Sequence, residues 1–194
     1  MLYLASQSPR RREILDQVGV SYRVIPQNID ETPLPQESPE SYVQRLALEK
    51  ARAGLASVTD KTDNDCALGA DTIVVLEGQI LGKPKDRQSG CEMLAALSGR
   101  KHLVMSAIAI VDKKQSCNGL SMTEVFFGSL DQQLIDKYWD TEEPCDKAGG
   151  YGIQGFGAFF VEKIIGSYSG VVGLPIEILF PMLERLKIPY WNSQ

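Results

Sequence analysis

The stretch ALGADTIVVL, Ala67 to Leu76, decides the fold. It is a nearly continuous apolar run, the pattern of a strand covered on both faces and therefore central in its sheet. Before it, LYLA (Leu2 to Ala5) reads as a short buried strand. A helix follows, with Ser8 at the N-cap, Pro9 at the first helical position and Gly19 just past the end. SYRVI (Ser21 to Ile25) alternates like a strand, and PQNIDETPLPQE is a loop rich in proline and acids. SPESYVQRLALEKARAGLASV repeats the Ser-Pro start and predicts a long amphipathic helix.

Beyond the central run, a turn at Glu77-Gly78 leads to QILGKP, and a helix is expected from Asp86 to Leu97, ending at Ser98-Gly99. HLVMSAIAIVD and LSMTEVFFG predict antiparallel strands joined across Lys113 to Asn118. DQQLIDKYW is a short helix, DKAGGYGIQGFGAFFVEKIIG a glycine-rich loop running into a strand, and PIEILFPMLERL a closing helix. Strands and helices interleave throughout, so the expected class is α/β with a mixed sheet and flanking helices.

Within this frame several charges stand in costly places. Asp71 interrupts the apolar strand, where an unpaired carboxylate would be strongly disfavoured or forced neutral. It needs a cation, and Lys83 in GKP or a metal ion is a candidate. On the first helix, Ile14, Leu15 and Val18 set the apolar stripe at 100° per residue. Arg11 points along that stripe, Arg10 lies at its margin and Arg12 faces solvent. Cations at a helix N-terminus oppose its dipole, so a solvated first turn has no energetic reason to carry three. Guanidinium groups beside free N–H groups instead suit a phosphate. Lys50 projects from the core face of the long helix, set by Tyr42, Val43, Leu46 and Ala47, while Arg45, Glu49 and Arg52 take the wet side. Its ammonium either snorkels outward or enters a cleft where an anion compensates it.

Composition excludes other classes. The 194 residues suffice for one domain with a proper core. A formal net charge of -5 argues against a chain that coats nucleic acid, so any anion site is a local pocket. The four cysteines form no C-x-x-C pair and there is one histidine, His102, which disfavours a structural zinc and a histidine-based triad. His102 reads as a hydrogen-bonded structural residue, and Trp139 and Trp191 as packing or surface residues. With no signal-peptide pattern and no membrane-length apolar run, a cytoplasmic protein with free thiols and no membrane partner is expected. Asp71 and Glu31 are hard oxygen donors without imidazole or thiolate company, a set suited to Mg²⁺ or Mn²⁺. Cations with such carboxylates imply phosphoanhydride chemistry. GKP breaks the P-loop pattern and the kinase signatures are absent.

The blocks LASQSPRR, DET, RLALEKA, LGADTIV, GKP, LSGRKHLVMSAIAI and DKAGGYGIQGFGAFFVEKIIGSYSGVVGLP together resemble the Maf family of nucleoside triphosphate pyrophosphatases. The resemblance implies an elongated single domain over residues 1–194, with two lobes around a nucleotide cleft and a likeness to inosine triphosphate pyrophosphatases. It implies hydrolysis of a nucleoside triphosphate to monophosphate and pyrophosphate with a divalent metal. Asp71 would be the catalytic proton acceptor and a metal ligand with Glu31, and Ser6, Arg10, Arg11, Lys50 and Lys83 would line the triphosphate. Arg10, Thr72 and Gln154 resemble the dTTP/UTP branch, where a 7-methyl-GTP branch has Trp, Gln and Glu. So dTTP and UTP are the expected preferred substrates, with CTP and modified pyrimidine nucleotides as further ones. A homodimer is compatible with the resemblance, and no stable nucleic-acid partner is expected. Two other readings stand beside this one. One is a house-cleaning activity on modified nucleotides; the other is a non-catalytic nucleotide-binding regulator of septum formation, which has no use for a carboxylate on a buried strand.

Overall fold

In the computed structural model, which describes residues 1–191, the apolar run forms β3 (Cys66–Leu76), one of the long strands of a seven-stranded sheet. β1 (Leu2–Leu4) lies parallel to β3 and to β2 (Tyr22–Val24) at the sheet edge. On its other side β3 pairs antiparallel with β5 (Lys101–Val111), then come β6 (Ser116–Phe127) and β7 (Val161–Ile165). The short β4 (Gln79–Leu81) folds back antiparallel on the end of β3. The sheet is mixed, as expected. The β5–β6 hairpin closes earlier than the sequence suggests: Asp112 Oδ1 accepts the N–H groups of Lys114 and Gln115, so β6 begins at Ser116.

The helices are α1 (Pro9–Gln17), α2 (Pro39–Ser57), α3 (Arg87–Leu97), α4 (Gln132–Trp139), α5 (Tyr168–Val172) and α6 (Ile176–Leu186). α5 was not expected; at five residues it carries no readable periodicity. The glycine-rich segment is more ordered than a plain loop, with 3₁₀ turns at Glu143–Asp146, Ala148–Gly150 and Phe156–Phe160. No helix among the described residues is long and apolar enough to cross a membrane.

Alternation along β3 distributes three apolar clusters. Ala67, Ile73 and Val75 face α2. On the opposite face Cys66, Leu68 and Ala70 join the cluster that α1 and α6 cover, while Val74 and Leu76 join one beneath α3 and α4. α2 lies so close to the strand that a Cβ at Gly69 would stand 2.2 Å from the carbonyl oxygen of Ala47. Only glycine allows that approach. Two residues on, Asp71 points to the same side as Gly69, toward α2.

The strand also has a gap along one edge. β1 pairs β3 only as far as Leu68, and β4 pairs it only from Val74. Between those points the β3 edge is open. Asp71 and Thr72 project from this gap to opposite sides of the sheet.

Candidate active site

A cavity of about 840 Å³ opens at this gap. Arg10, Arg11, Glu31, Lys50, Asp71 and Thr72 line it, as do Lys83 and Gln154. The residues singled out from the sequence therefore converge, with one exception. Ser6 is buried, at 4% exposure, and does not line the cavity. Its hydroxyl oxygen accepts from Arg11 Nη1 at 3.0 Å and from the N–H of Ser8 at 3.2 Å, so it supports Arg11 from behind.

Asp71 meets its cation, but not the one suggested by sequence proximity. Lys50 Nζ lies 2.7 Å from Asp71 Oδ1 and 2.7 Å from Glu31 Oε1, and Lys50 itself is only 6% exposed. Lys83 is exposed on the cavity rim. The reason is topological: the close pass of α2 at Gly69 brings Lys50 above Asp71, whereas β4 carries Lys83 outward along the strand. Lys50 does not snorkel. Burial nonetheless pushes the Asp71 carboxyl above its ordinary value, against the pull of Lys50 and Arg11.

The acidic loop reaches the site because α2 holds it. Tyr42 donates its phenol to the Glu31 carbonyl at 2.8 Å, and Arg45 donates to the Thr32 carbonyl at 3.2 Å. Arg45 also grips Glu37 through two contacts, at 2.6 and 2.8 Å, and draws that carboxyl down to about 2. Arg45 was assigned to the wet face of its helix; instead it pins the loop that carries Glu31.

α1 supplies the arginines as the stripe argument required. Arg12 is exposed, and Arg10 stands at the cavity wall. Arg11 is fixed by three bonds: Nε donates to the Gly173 carbonyl at 2.9 Å, Nη1 to Ser6 and Nη2 to Thr72 Oγ1 at 3.4 Å. Burial lowers its pKa, opposed by Asp71. Ser8 holds the cap position without a side-chain cap bond and lines the cavity, which leaves the first turn of α1 open toward an anion.

Glu143, Tyr138 and Lys147 escaped sequence reasoning. Glu143 Oε1 accepts from Tyr138 Oη at 2.8 Å and from the N–H of Gly157 at 3.1 Å, and its Oε2 accepts from the N–H of Phe156 at 2.8 Å. Gly152 donates to the Tyr138 phenol oxygen at 3.1 Å, closing the loop that presents Gln154. A Cβ on Gly155 would lie 2.1 Å from the Glu143 carboxylate. Lys147, a further cation on the cavity wall, donates to the Glu143 carbonyl and to Asp146 Oδ1, both at 2.7 Å. The DK pair before AGG was visible in the sequence but had no partner to give it meaning. His102 is structural, as expected: it is buried, and its Nε2 shares a proton with Tyr151 Oη at 2.8 Å.

The donor set fits a hard divalent cation. Lys50 engages one oxygen of Asp71 and one of Glu31, leaving a second carboxylate oxygen on each for coordination. Mg²⁺ needs only one or two carboxylates when phosphate oxygens and waters complete its shell. No group of three or more acidic, histidine or cysteine side chains is placed to hold a metal ion among the described residues.

Comparison with known proteins finds similar chains along nearly the whole length. The chain is 48% identical over 191 residues to a dTTP/UTP pyrophosphatase of Alkalilimnicola ehrlichii, covering 97% of this chain and 94% of that one. It is 53% identical over 191 residues to a protein of that name from Shewanella denitrificans, covering 94% and 96%. It is 49% identical over 184 residues to one from Escherichia coli, covering 95% and 92%. Among solved structures, the Staphylococcus aureus Ham1 protein aligns with a TM-score of 0.43 at 16% identity, over 65% of this chain and 71% of that one. The sequence profile described as Maf-like protein matches residues 1–186. With a profile match along nearly the whole length and relatives about half identical from end to end, the chain belongs to the Maf family.

Proposed function

We propose that the protein hydrolyses dTTP and UTP to the monophosphate and pyrophosphate with the help of Mg²⁺ or Mn²⁺. The observation that carries this reading is the buried Asp71, held by Lys50, which also pairs with Glu31, at the floor of a cavity whose walls bear Arg10, Arg11 and Lys83. The relatives named above support the choice of substrate.

In this reading the triphosphate lies against α1, where the open first turn, Arg10 and Arg11 neutralise its charge, with Lys83 reaching from the opposite rim. The pyrophosphate is the leaving group, and these cations stabilise the charge that develops on it. Asp71 orients a water for in-line attack and accepts its proton. Its raised pKa makes it a better base than a solvated carboxylate, and Lys50 keeps it ionised in place. Asp71 and Glu31 would hold the divalent cation, which supplies Lewis acidity and further charge neutralisation. Gln154, exposed on the glycine-rich loop, has an amide able to donate and accept toward a pyrimidine edge. The α1/α6 and α3/α4 clusters are the cores of two lobes of one domain that share the long strands, with the substrate across the gap between them.

Phosphorus NMR of the products tests the reaction, using purified protein with Mg²⁺ and dTTP, UTP, CTP, 7-methyl-GTP or ATP in turn. The expected result is monophosphate plus pyrophosphate from dTTP and UTP. Inorganic phosphate plus a diphosphate would place the cleavage at the wrong bond. No turnover of any nucleotide would favour a binding regulator.

A further inference from the structure

The hydroxyl of Thr72 is not free to choose its role. Thr72 stands opposite Ser106 in the β3–β5 register, and their oxygens are 2.8 Å apart. Either could donate to the other on distance alone. Ser106, however, also lies 2.6 Å from the carbonyl oxygen of Gly170 in α5. A carbonyl oxygen only accepts, so the single Ser106 proton belongs to Gly170. Ser106 is fully buried, at 0% exposure, and no solvent offers an alternative. The Thr72 proton must therefore go to Ser106. The Thr72 oxygen already accepts from Arg11 Nη2 at 3.4 Å, and one lone pair remains. Toward the cavity Thr72 is an acceptor only.

That polarity is unsuited to phosphate, whose oxygens are themselves acceptors, and suits a donor on the ligand. Uracil and thymine carry a ring N3–H between two carbonyls. Cytosine carries at the same place a bare nitrogen lone pair, which an acceptor repels. Resting on the dTTP/UTP reading above, we propose that Ser106 acts through Thr72 as a specificity-determining residue. It holds the Thr72 hydroxyl as an acceptor, so that the site favours pyrimidine nucleotides with an imide N–H over those without one. Ser106 touches no substrate and is a positioning residue.

The experiment measures kcat/KM for UTP, CTP and 3′-deoxy-UTP with the wild type, Thr72→Val, Ser106→Ala and the double variant. Ser106→Cys fills the same space with a feeble donor, should Ser106→Ala fail to fold. Wild type is expected to favour UTP over CTP. One neutral hydrogen bond is worth up to about tenfold in such a ratio. Thr72→Val should lower the ratio by that order through loss on UTP. Ser106→Ala or Ser106→Cys should lower it through gain on CTP, because the released Thr72 hydroxyl can turn and donate to the cytosine nitrogen. In the Thr72→Val background the Ser106 substitution should change the ratio no further, an outcome that a merely structural role would not produce.

An unchanged UTP/CTP ratio in both folded Ser106 variants would overturn the proposal. So would a Ser106 effect that persists without the Thr72 hydroxyl. Loss of discrimination against 3′-deoxy-UTP in Thr72→Val, with the UTP/CTP ratio intact, would also overturn it by placing the hydroxyl against the sugar. If the wild type turns over no triphosphate, the catalytic reading fails by itself. The same ratios taken as dissociation constants for UTP and CTP then still decide the role of Ser106.

Discussion

Asp71 shows how one residue can oppose the fold that carries it. Its carboxyl is pushed upward by burial despite a lysine at 2.7 Å, so the ionised form is less favourable here than in the unfolded chain. Replacing it with asparagine removes the charge while keeping the shape, and Lys50 retains Glu31. Asp71→Asn should therefore lose turnover by about a thousandfold or more, while its melting temperature stays level or rises in a calorimetric scan. A sharp fall in melting temperature would mean that Asp71 serves stability. Lys50→Met is the converse, since it strands a buried carboxylate, a change that costs about 3–5 kcal/mol unless the group takes up a proton. Its activity should be lost and its denaturation midpoint lowered. Asp71 was legible from sequence because a charge in an apolar strand is an anomaly on its face. Its partner was not legible, because the sequence does not say that α2 crosses β3 at Gly69. Ser6 illustrates the same limit: its place in the motif suggested contact with phosphate, yet the fold uses its hydroxyl to hold Arg11.

Among the elements, the segment from Asp146 to Phe160 departs most from its sequence reading. Glycines at short spacing say loop and nothing more, because the groups that organise it lie earlier in the chain. Tyr138 comes from the end of α4 and Glu143 from the 3₁₀ turn beyond it. Their hydroxyl and carboxylate collect N–H groups that would otherwise hang in the loop. Glu143→Gln tests whether this clasp matters to the site. The amide can keep its carbonyl oxygen on Tyr138 and Gly157, but its NH₂ then confronts the N–H of Phe156, donor against donor. KM for dTTP should rise by about tenfold with kcat changed less, because Gln154 is displaced while Asp71 and Lys50 lie on other elements. An unchanged KM in the folded variant would separate the clasp from substrate binding. Helices with caps and full periodicity, such as α2 and α3, were readable within a residue or two. The five-residue α5 was not, since what holds it is packing on β5 and β6 and the Ser106 bond to Gly170.

For the whole molecule, the interior place of β3 and the mixed sheet followed from one apolar run and the helices between its neighbours, because burial on both faces leaves few alternatives; the order of the strands did not. The gap in the β3 edge did not follow, since it depends on where β1 stops and β4 begins. The interior also contains one group whose protonation the whole fold must resist. His102 is 3% exposed, its Nδ1 has no partner among the described residues, and burial lowers its pKa to about 4 from an ordinary 6.5. Below pH 6.5 the unfolded chain takes up a proton at His102 that the folded chain refuses until about pH 4. The stability that neutral burial contributes is thus complete above pH 6.5 and drains away as the pH falls toward 4. At about 1.4 kcal/mol per unit, the loss is about 3 kcal/mol. Asp71 works in the opposite sense, because acid relieves its raised carboxyl, so the informative quantity is a difference between two chains that both keep Asp71. His102→Gln preserves a polar partner for the Tyr151 hydroxyl and removes the titration. Urea unfolding at pH 7.5 and pH 4.5 should show the wild type losing about 2.5 kcal/mol more than the variant over that interval. Equal losses would mean that His102 is already protonated in the folded molecule, and that the aromatic packing of Phe127 and Tyr151 around it tolerates a charge.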